Sequence, residues 1–158
     1  ASAQSAQTFS LQANEAGSDT NGEVFTNLLE VNDNYTRVGS INWSHSSGVF
    51  SSATTGTFFC SWQVVLNVIS GGDNFDPKVT ISTDSGSSYN GRSYAWGGIQ
   101  SGYNGTVSSS FIFTVDNAST FRLRFHESST NSISSNSTLI GNADYVATGI
   151  TFVKLGVV

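Results

Sequence analysis

Thr57-Phe58-Phe59-Cys60-Ser61-Trp62-Gln63-Val64-Val65-Leu66-Asn67-Val68-Ile69 is the stretch on which the fold turns. Phe58, Cys60, Trp62, Val64, Leu66 and Val68 recur every second residue, the period that puts side chains on one face of a strand. Gly71-Gly72-Asp73-Asn74 then ends the run with residues suited to a turn. The odd positions are unusual, because Phe59, Val65 and Ile69 stand among Ser61, Gln63 and Asn67. A half-buried antiparallel strand has one polar face, so a second apolar set needs its own cover. Val153 and Leu155 pose the same demand opposite Ile150 and Phe152. Phe59, Val65, Ile69, Val153 and Leu155 are therefore expected at a subunit interface, where burial is worth about 25 cal/mol per Å² of apolar area. A strand covered on both faces within one subunit, or by a loop, is the alternative.

Working outward, alternation continues and helical spacing is missing. Phe9, Leu11 and Ala13 alternate near the start. Val24–Val31 is a short apolar run, followed by the turn-rich Asn32-Asp33-Asn34. Ile41 and Trp43 precede a Ser-rich turn, and Val49-Phe50 follow it. Val79 and Ile81, then Tyr94 and Trp96, mark further strands. Val107, Phe111, Phe113 and Val115 share a face, as do Phe121, Leu123 and Phe125 with Arg122, Arg124 and His126 opposite. Val146–Leu155 closes the chain. About eight to ten short strands, with turn signals every 8–12 residues or so, define an all-β sandwich or barrel. Residues 1–7 read as a flexible arm, opening as a mature N-terminus would, and residues 8–158 as one domain.

Composition excludes several function classes. Charged residues are 11% of the chain and the net charge is −5, with two lysines and four arginines. Phosphate neutralisation needs a basic face that this chain cannot supply, so nucleic acid is not expected as a partner. No apolar run approaches the roughly 20 residues of a membrane-spanning helix, so no membrane insertion is expected. The single cysteine, Cys60, leaves no intrachain disulfide to form.

Trp43, six residues, Phe50, five residues, then Gly56-Thr57-Phe58-Phe59-Cys60-Ser61-Trp62 resembles the signature of the C1q domain. That signature runs from an aromatic to Phe and then to Gly-x-Tyr-x-Phe-x-aromatic. Cys60 stands where the family has Phe, and Val38 where it has Asn or Asp. Val24-Phe25, Leu28-Leu29 and the closing Thr148–Phe152 fall where the family has comparable strands. The resemblance implies a two-sheet antiparallel jelly-roll sandwich of the C1q/TNF type, assembled as a homotrimer that binds rather than catalyses. No collagen-like repeat is present. Heads of this kind also occur on bacteriophage particles, and the low charge and Ser/Thr/Asn/Gly-rich composition suit that setting. The expectation is a non-catalytic virion protein, a capsid decoration or a fibre head, at a virion surface or outside cells. Its partners would be other virion proteins or a cell-surface glycan.

Three sets of residues are candidates for ligands. Asp73, Asp76 and Asp84 lie in two neighbouring expected loops and offer hard oxygen ligands for Ca²⁺, although Asp is also an ordinary turn residue. No other cofactor is indicated. Tyr89, Tyr94, Trp96 and Tyr103 cluster in a Gly/Ser/Asn-rich region, where aromatics can stack on sugars. That is the basis of the alternative reading, a carbohydrate-binding head. Arg122 and Arg124 share a strand face with His126 and could contact an anion or a glycan. Asp84-Ser85-Gly86 matches the catalytic tripeptide of aspartic proteases, a minor alternative. Such enzymes need two carboxylates sharing one proton, and no second Asp-Ser/Thr-Gly occurs. His45, His126 and Cys60 supply no nucleophile–base pair. The Asn-x-Ser/Thr sequons, Asn34 among them, are what chance gives in a chain this rich in Asn, Ser and Thr.

Overall fold

The protein is described by a computed structural model covering residues 4–31 and 37–157. The expected turn at Asn32–Asn34, with its sequon, lies outside the described residues, as do residues 1–3. Among the described residues there are fourteen strands and no helix. The count exceeds the expected eight to ten because several strands are only two or three residues long.

The decisive stretch forms β6 (Gly56–Val68), the spine of the larger sheet. Along one edge it pairs throughout with β11 (Asn104–Val115), from Gly56 opposite Val115 to Asn67 opposite Asn104. Its other edge is divided. β14 (Gly149–Gly156) takes Thr57 to Gln63, and β13 (Ser137–Leu139) takes Leu66 to Val68. Beyond β14 lies β1 (Ser5–Leu11), then β3 (Leu28–Glu30), while β2 (Glu15–Ala16) pairs with β13. The facing sheet has the order β4 (Trp43–Ser46), β5 (Val49–Ser52), β12 (Arg122–His126), β8 (Lys78–Ser82), β9 (Asn90–Tyr94). A small ribbon joins β7 (Asp73–Phe75) to β10 (Gly97–Ile99). All pairings are antiparallel, and the chain alternates between the two large sheets as it advances, the habit of a jelly roll.

The core between the sheets follows the period of two. Every even position of β6 from Phe58 to Val68 is buried, as are Phe121, Leu123 and Phe125 from the facing sheet. Trp43 is the hub, stacked on Phe152 at 4.3 Å and edge-on to Phe58, Phe113 and Phe121. Such aromatic pairs add about 0.5–1.5 kcal/mol each beyond area burial. Gly56 has φ 153°, and a Cβ there would lie 2.9 Å from the Gly156 carbonyl oxygen and 2.8 Å from Lys154 Cε. Only glycine fits where β6 enters beneath the end of β14.

The arm expected at residues 1–7 does not extend through that range. Ser5, Ala6 and Gln7 are paired with Lys154, Val153 and Phe152, and Ser5 and Gln7 are buried. Gln7 escaped notice because it is polar in the same register as Phe9 and Leu11. Its side-chain amide accepts from Trp43 N at 2.7 Å and donates to Trp43 O at 2.9 Å, which ties β1 to the facing sheet. Val24–Val31 is likewise less regular than expected. It contributes the short β3, an isolated bridge from Val24 to His126, and the buried anchors Phe25 and Leu28.

Candidate functional site

Two surfaces stand out. The first is the face of the larger sheet turned away from the core. Strand register aligns Ile112 with Phe59, Phe59 with Val153, Val153 with Ala6, and Ala6 with Val38. Five apolar residues from separate segments thus form one row across the sheet. Ile112 is 64% exposed and Val38 53%. Leu155 extends the patch from a bulge, since it has no partner in the register between Lys154 and Gly156. Two residues along the strands the next row is Ser110, Ser61, Thr151 and Thr8, all hydroxyls, with Thr8 and Thr151 hydrogen-bonded at 2.8 Å.

Of the expected interface residues, Phe59, Val153 and Leu155 lie in or beside this row. Val65 is half-buried at the gap between β14 and β13, where Thr148 Oγ1 accepts from its N–H and Ile140 N donates to its carbonyl. Ile69 is exposed past the far end of β6, roughly 30 Å from Phe59 at strand rise. The apolar residues on the odd side are therefore dispersed, with Phe59 in the row, Val65 beyond the polar Ser61 and Gln63, and Ile69 past the end of the strand. Ile112 and Val38 were not singled out, because Ile112 has only Ser110 and Thr114 beside it on its own strand face and Val38 stands between Arg37 and Gly39, so each joins the row only through pairing.

The second surface is at the end of the sandwich where the connections β6–β8, β9–β11 and β12–β13 meet. A hollow of about 310 Å³ is lined by Asn74, Phe75, Asp76, Tyr94, Trp96, Gly97 and Asn131. Trp96 lies in the turn between β9 and β10 rather than in a strand, and is 72% exposed. Its ring centroid is 5.0 Å from that of Tyr94, at an interplanar angle of 38°. Tyr94 Oη donates to Asp76 Oδ2 at 2.8 Å, and Asn131 Nδ2 donates to Asp76 Oδ1 at 2.7 Å and to the Asn74 carbonyl at 2.8 Å.

Behind Asp76 sits Glu127, fully buried, with Oε1 accepting from Asp76 N at 2.6 Å and Oε2 unpartnered among the described residues. Burial, reinforced by the Asp76 carboxylate, pushes the Glu127 carboxyl up to about 8. Desolvation also acts upward on Asp76. It is outweighed by hydrogen bonds from Glu127, Asn131 and Tyr94 and by the Lys78 charge, so Asp76 stays below the usual carboxylate range. Burial thus favours a proton on Glu127, while the hydrogen bonds around Asp76 favour its ionised form. Sequence reading missed Glu127, yet it continues the register of Phe121, Leu123 and Phe125, a carboxyl in a core position.

The structure does not bring Asp73, Asp76 and Asp84 together. Asp76 precedes β8 and Asp84 follows it, so the strand separates them. Asp73 Oδ2 is taken by Ser134 N at 3.0 Å and Ser137 Oγ at 2.5 Å. Among the described residues no three metal-ligating side chains converge. Asp84 closes a turn, accepting from Ser82 Oγ and from Ser88 N and Oγ, which hold it at about 2. A carboxylate so stabilised is not poised to share a proton as a protease aspartate must.

The expected ligand-binding residues also divide. Tyr94 and Trp96 line the hollow. Tyr89 lies under the Arg124 guanidinium, 3.9 Å from its ring centroid, beside the second sheet. Arg122 donates to the Phe121 carbonyl, and Tyr103 is exposed in the β10–β11 turn. His126 pairs with Thr80 Oγ1 and the Glu127 carbonyl, and burial lowers its pKa despite the Glu127 contact. His45 is likewise lowered by burial, and burial pushes the Cys60 thiol far up. None of the three touches another to form a reactive pair.

These features define an all-β, two-sheet antiparallel jelly roll of the TNF type. The solved structure of Eiger TNF from S. frugiperda is similar with a TM-score of 0.70 at 10% identity, over 99% of this chain and 96% of that one. Murine APRIL at pH 5.0 is similar with a TM-score of 0.67 at 12% identity, over 96% of this chain and 99% of that one. No protein-family model matches the sequence, and no curated protein matches it. No helix among the described residues is long and apolar enough to cross a membrane.

Proposed function

We propose that the chain is one subunit of a homotrimeric, non-catalytic binding head, assembled through the outward face of the β1–β14–β6–β11 sheet. The observation that carries this reading is the outward-facing apolar row Ile112, Phe59, Val153, Ala6, Val38, half-buried in the middle and exposed at both ends in the single chain. An apolar row crossing four strands is a surface that association would bury. The C1q/TNF-like fold supports three copies rather than two, since heads of this type close apolar contacts around a threefold axis, a cyclic arrangement that leaves no copy unsatisfied. The hydroxyl row beside it can be bridged by water, as interfaces commonly are.

The finer reading places the trimer at a virion surface or outside cells, as capsid decoration or fibre head. Its support is compositional, with 11% charged residues and a surface of Ser, Thr, Asn and Gly. Light scattering at micromolar concentration tests the assembly, with a mass three times the 16.7 kDa of the chain expected and a stable monomer overturning it. Immunogold labelling of particles from the source culture tests the location, and label confined to cells would exclude the virion.

A further inference from the structure

We propose that the hollow beside Trp96 binds a neutral saccharide, with an apolar ring face against Trp96 and Tyr94 and hydroxyls on Asp76, Asn131 and Asn74. A sugar ring presents C–H groups on its faces and paired hydroxyls on its rim. Its complement is an exposed aromatic beside fixed groups that accept and donate side by side. All of these parts are present. Trp96 covers no core, while Trp43 and Trp62 are buried. Around the hollow the polar groups retain free capacity. An ionised Asp76 offers about four acceptor positions, of which Tyr94, Asn131 and Glu127 take one each, which leaves room for a ligand hydroxyl. Asn131 Oδ1 and the Asn74 side-chain amide make no hydrogen bond among the described residues.

The site is also built in advance. Glu127 fixes the Asp76 backbone, Asn131 bridges Asp76 to the Asn74 carbonyl, and the ribbon pairs Gly97 with Phe75 beneath Trp96. Groups already ordered lose little freedom when a ligand arrives. At about 310 Å³ the hollow sits at the small end of ligand pockets, roughly 300–1,000 Å³, a size for one end of a short glycan. A second hollow of about 430 Å³, lined by Lys78, Gly91, Arg92, Ser93, Tyr94 and Ser128, shares the Tyr94 ring. A linked unit can continue past Tyr94 into it. Asp76, ionised at the mouth of the first hollow, favours a neutral ring there over an acidic one.

Trp96 is the one exposed tryptophan among the three, so its emission is the part that acrylamide quenches and that Trp96→Ala removes. The test titrates the assembled protein with methyl glycosides and β-linked disaccharides of glucose, galactose, mannose and N-acetylglucosamine. Saturable shifts in emission are expected, with saturation-transfer NMR locating contact on a C–H face. Trp96→Ala should weaken binding about ten-fold or more, the equivalent of one aromatic contact. Trp96→Tyr should recover much of that loss. Thermal melts of both variants should match wild type, because the ring is exposed. No saturable response to any sugar, or equal binding by Trp96→Ala, overturns the proposal. Acrylamide failing to quench Trp96 in the assembled protein would also overturn it, by showing the ring covered by a neighbouring subunit. The mass measured on the same sample separates this result from failure of the trimer itself.

Discussion

The side chain of Gln7 pairs with the main chain of Trp43 as a neighbouring strand would. Its amide supplies both an acceptor for Trp43 N, at 2.7 Å, and a donor for Trp43 O, at 2.9 Å. The contact crosses the sandwich and satisfies two backbone groups beside the core hub. Gln7→Leu leaves both unmet in a dry site, at about 1–3 kcal/mol for each stranded group. A loss of about 2–4 kcal/mol is expected in urea unfolding, with an unchanged slope. Gln7→Glu should be nearly as harmful, since a carboxylate cannot donate to the Trp43 carbonyl.

The carboxyl pair at the loop end predicts a pH dependence. Burial pushes the Glu127 carboxyl up to about 8 in the folded chain, against 4.5 as the ordinary value. Between those values the folded chain holds a proton that the unfolded chain has released. Stability therefore falls as pH rises through this window and levels off above it. Asp76 acts oppositely and lower, its contribution being lost as pH falls through its depressed pKa. Glu127→Gln should flatten thermal stability between about pH 5 and 8, while wild type loses stability across the same range.

Phe59→Asp should dissociate the proposed trimer while leaving the jelly roll folded. Phe59 is central in the apolar row, between Ile112 and Val153. A carboxylate there would be buried without a partner on assembly. Sedimentation should give the mass of one chain, with far-ultraviolet dichroism unchanged. A trimer persisting in this variant would place the interface elsewhere.

Gly56→Ala should destabilise by more than about 1 kcal/mol, since alanine meets both an unfavourable φ and the Gly156 carbonyl. Gly71, with φ 75° but open space around it, is the control. Alanine there should cost only the backbone term, roughly 1 kcal/mol.

Chelation should leave the melting temperature unchanged. The Asp73 and Asp84 carboxylates are already satisfied by Ser134, Ser137, Ser82 and Ser88. A stabilising shift on adding millimolar Ca²⁺ would contradict this account.

The two-sheet core was legible because alternation in β6, β11 and β12 is local information. What pairing assembles was not. Ile112 and Val38 lie 74 residues apart, and only register sets them in one row. The hollow is similar, since Asp76, Trp96 and Asn131 come from three separate connections. Gln7 and Glu127 left a signal that went unread, each a polar residue continuing an apolar period. Inside a sandwich such a break marks a buried polar group with a specific partner. Asp84, by contrast, looked chemical and is structural, because a turn and a catalytic tripeptide can share the same three residues.

The divided edge of β6 has a consequence for how the protein is made. Part of it pairs with β14, and β14 in turn pairs with β1, so within this domain β1 can meet β3 early but gains its second neighbour only once β14 has been made. Long-range pairing of this kind is slow to form and exposes unpaired edges while it waits. Until β14 is available, Phe9 and Leu11 have β3 on one side and nothing on the other. A nascent chain stalled before Gly149 should be more protease-sensitive in β1 than the finished domain, because the β14 side of that strand is still open.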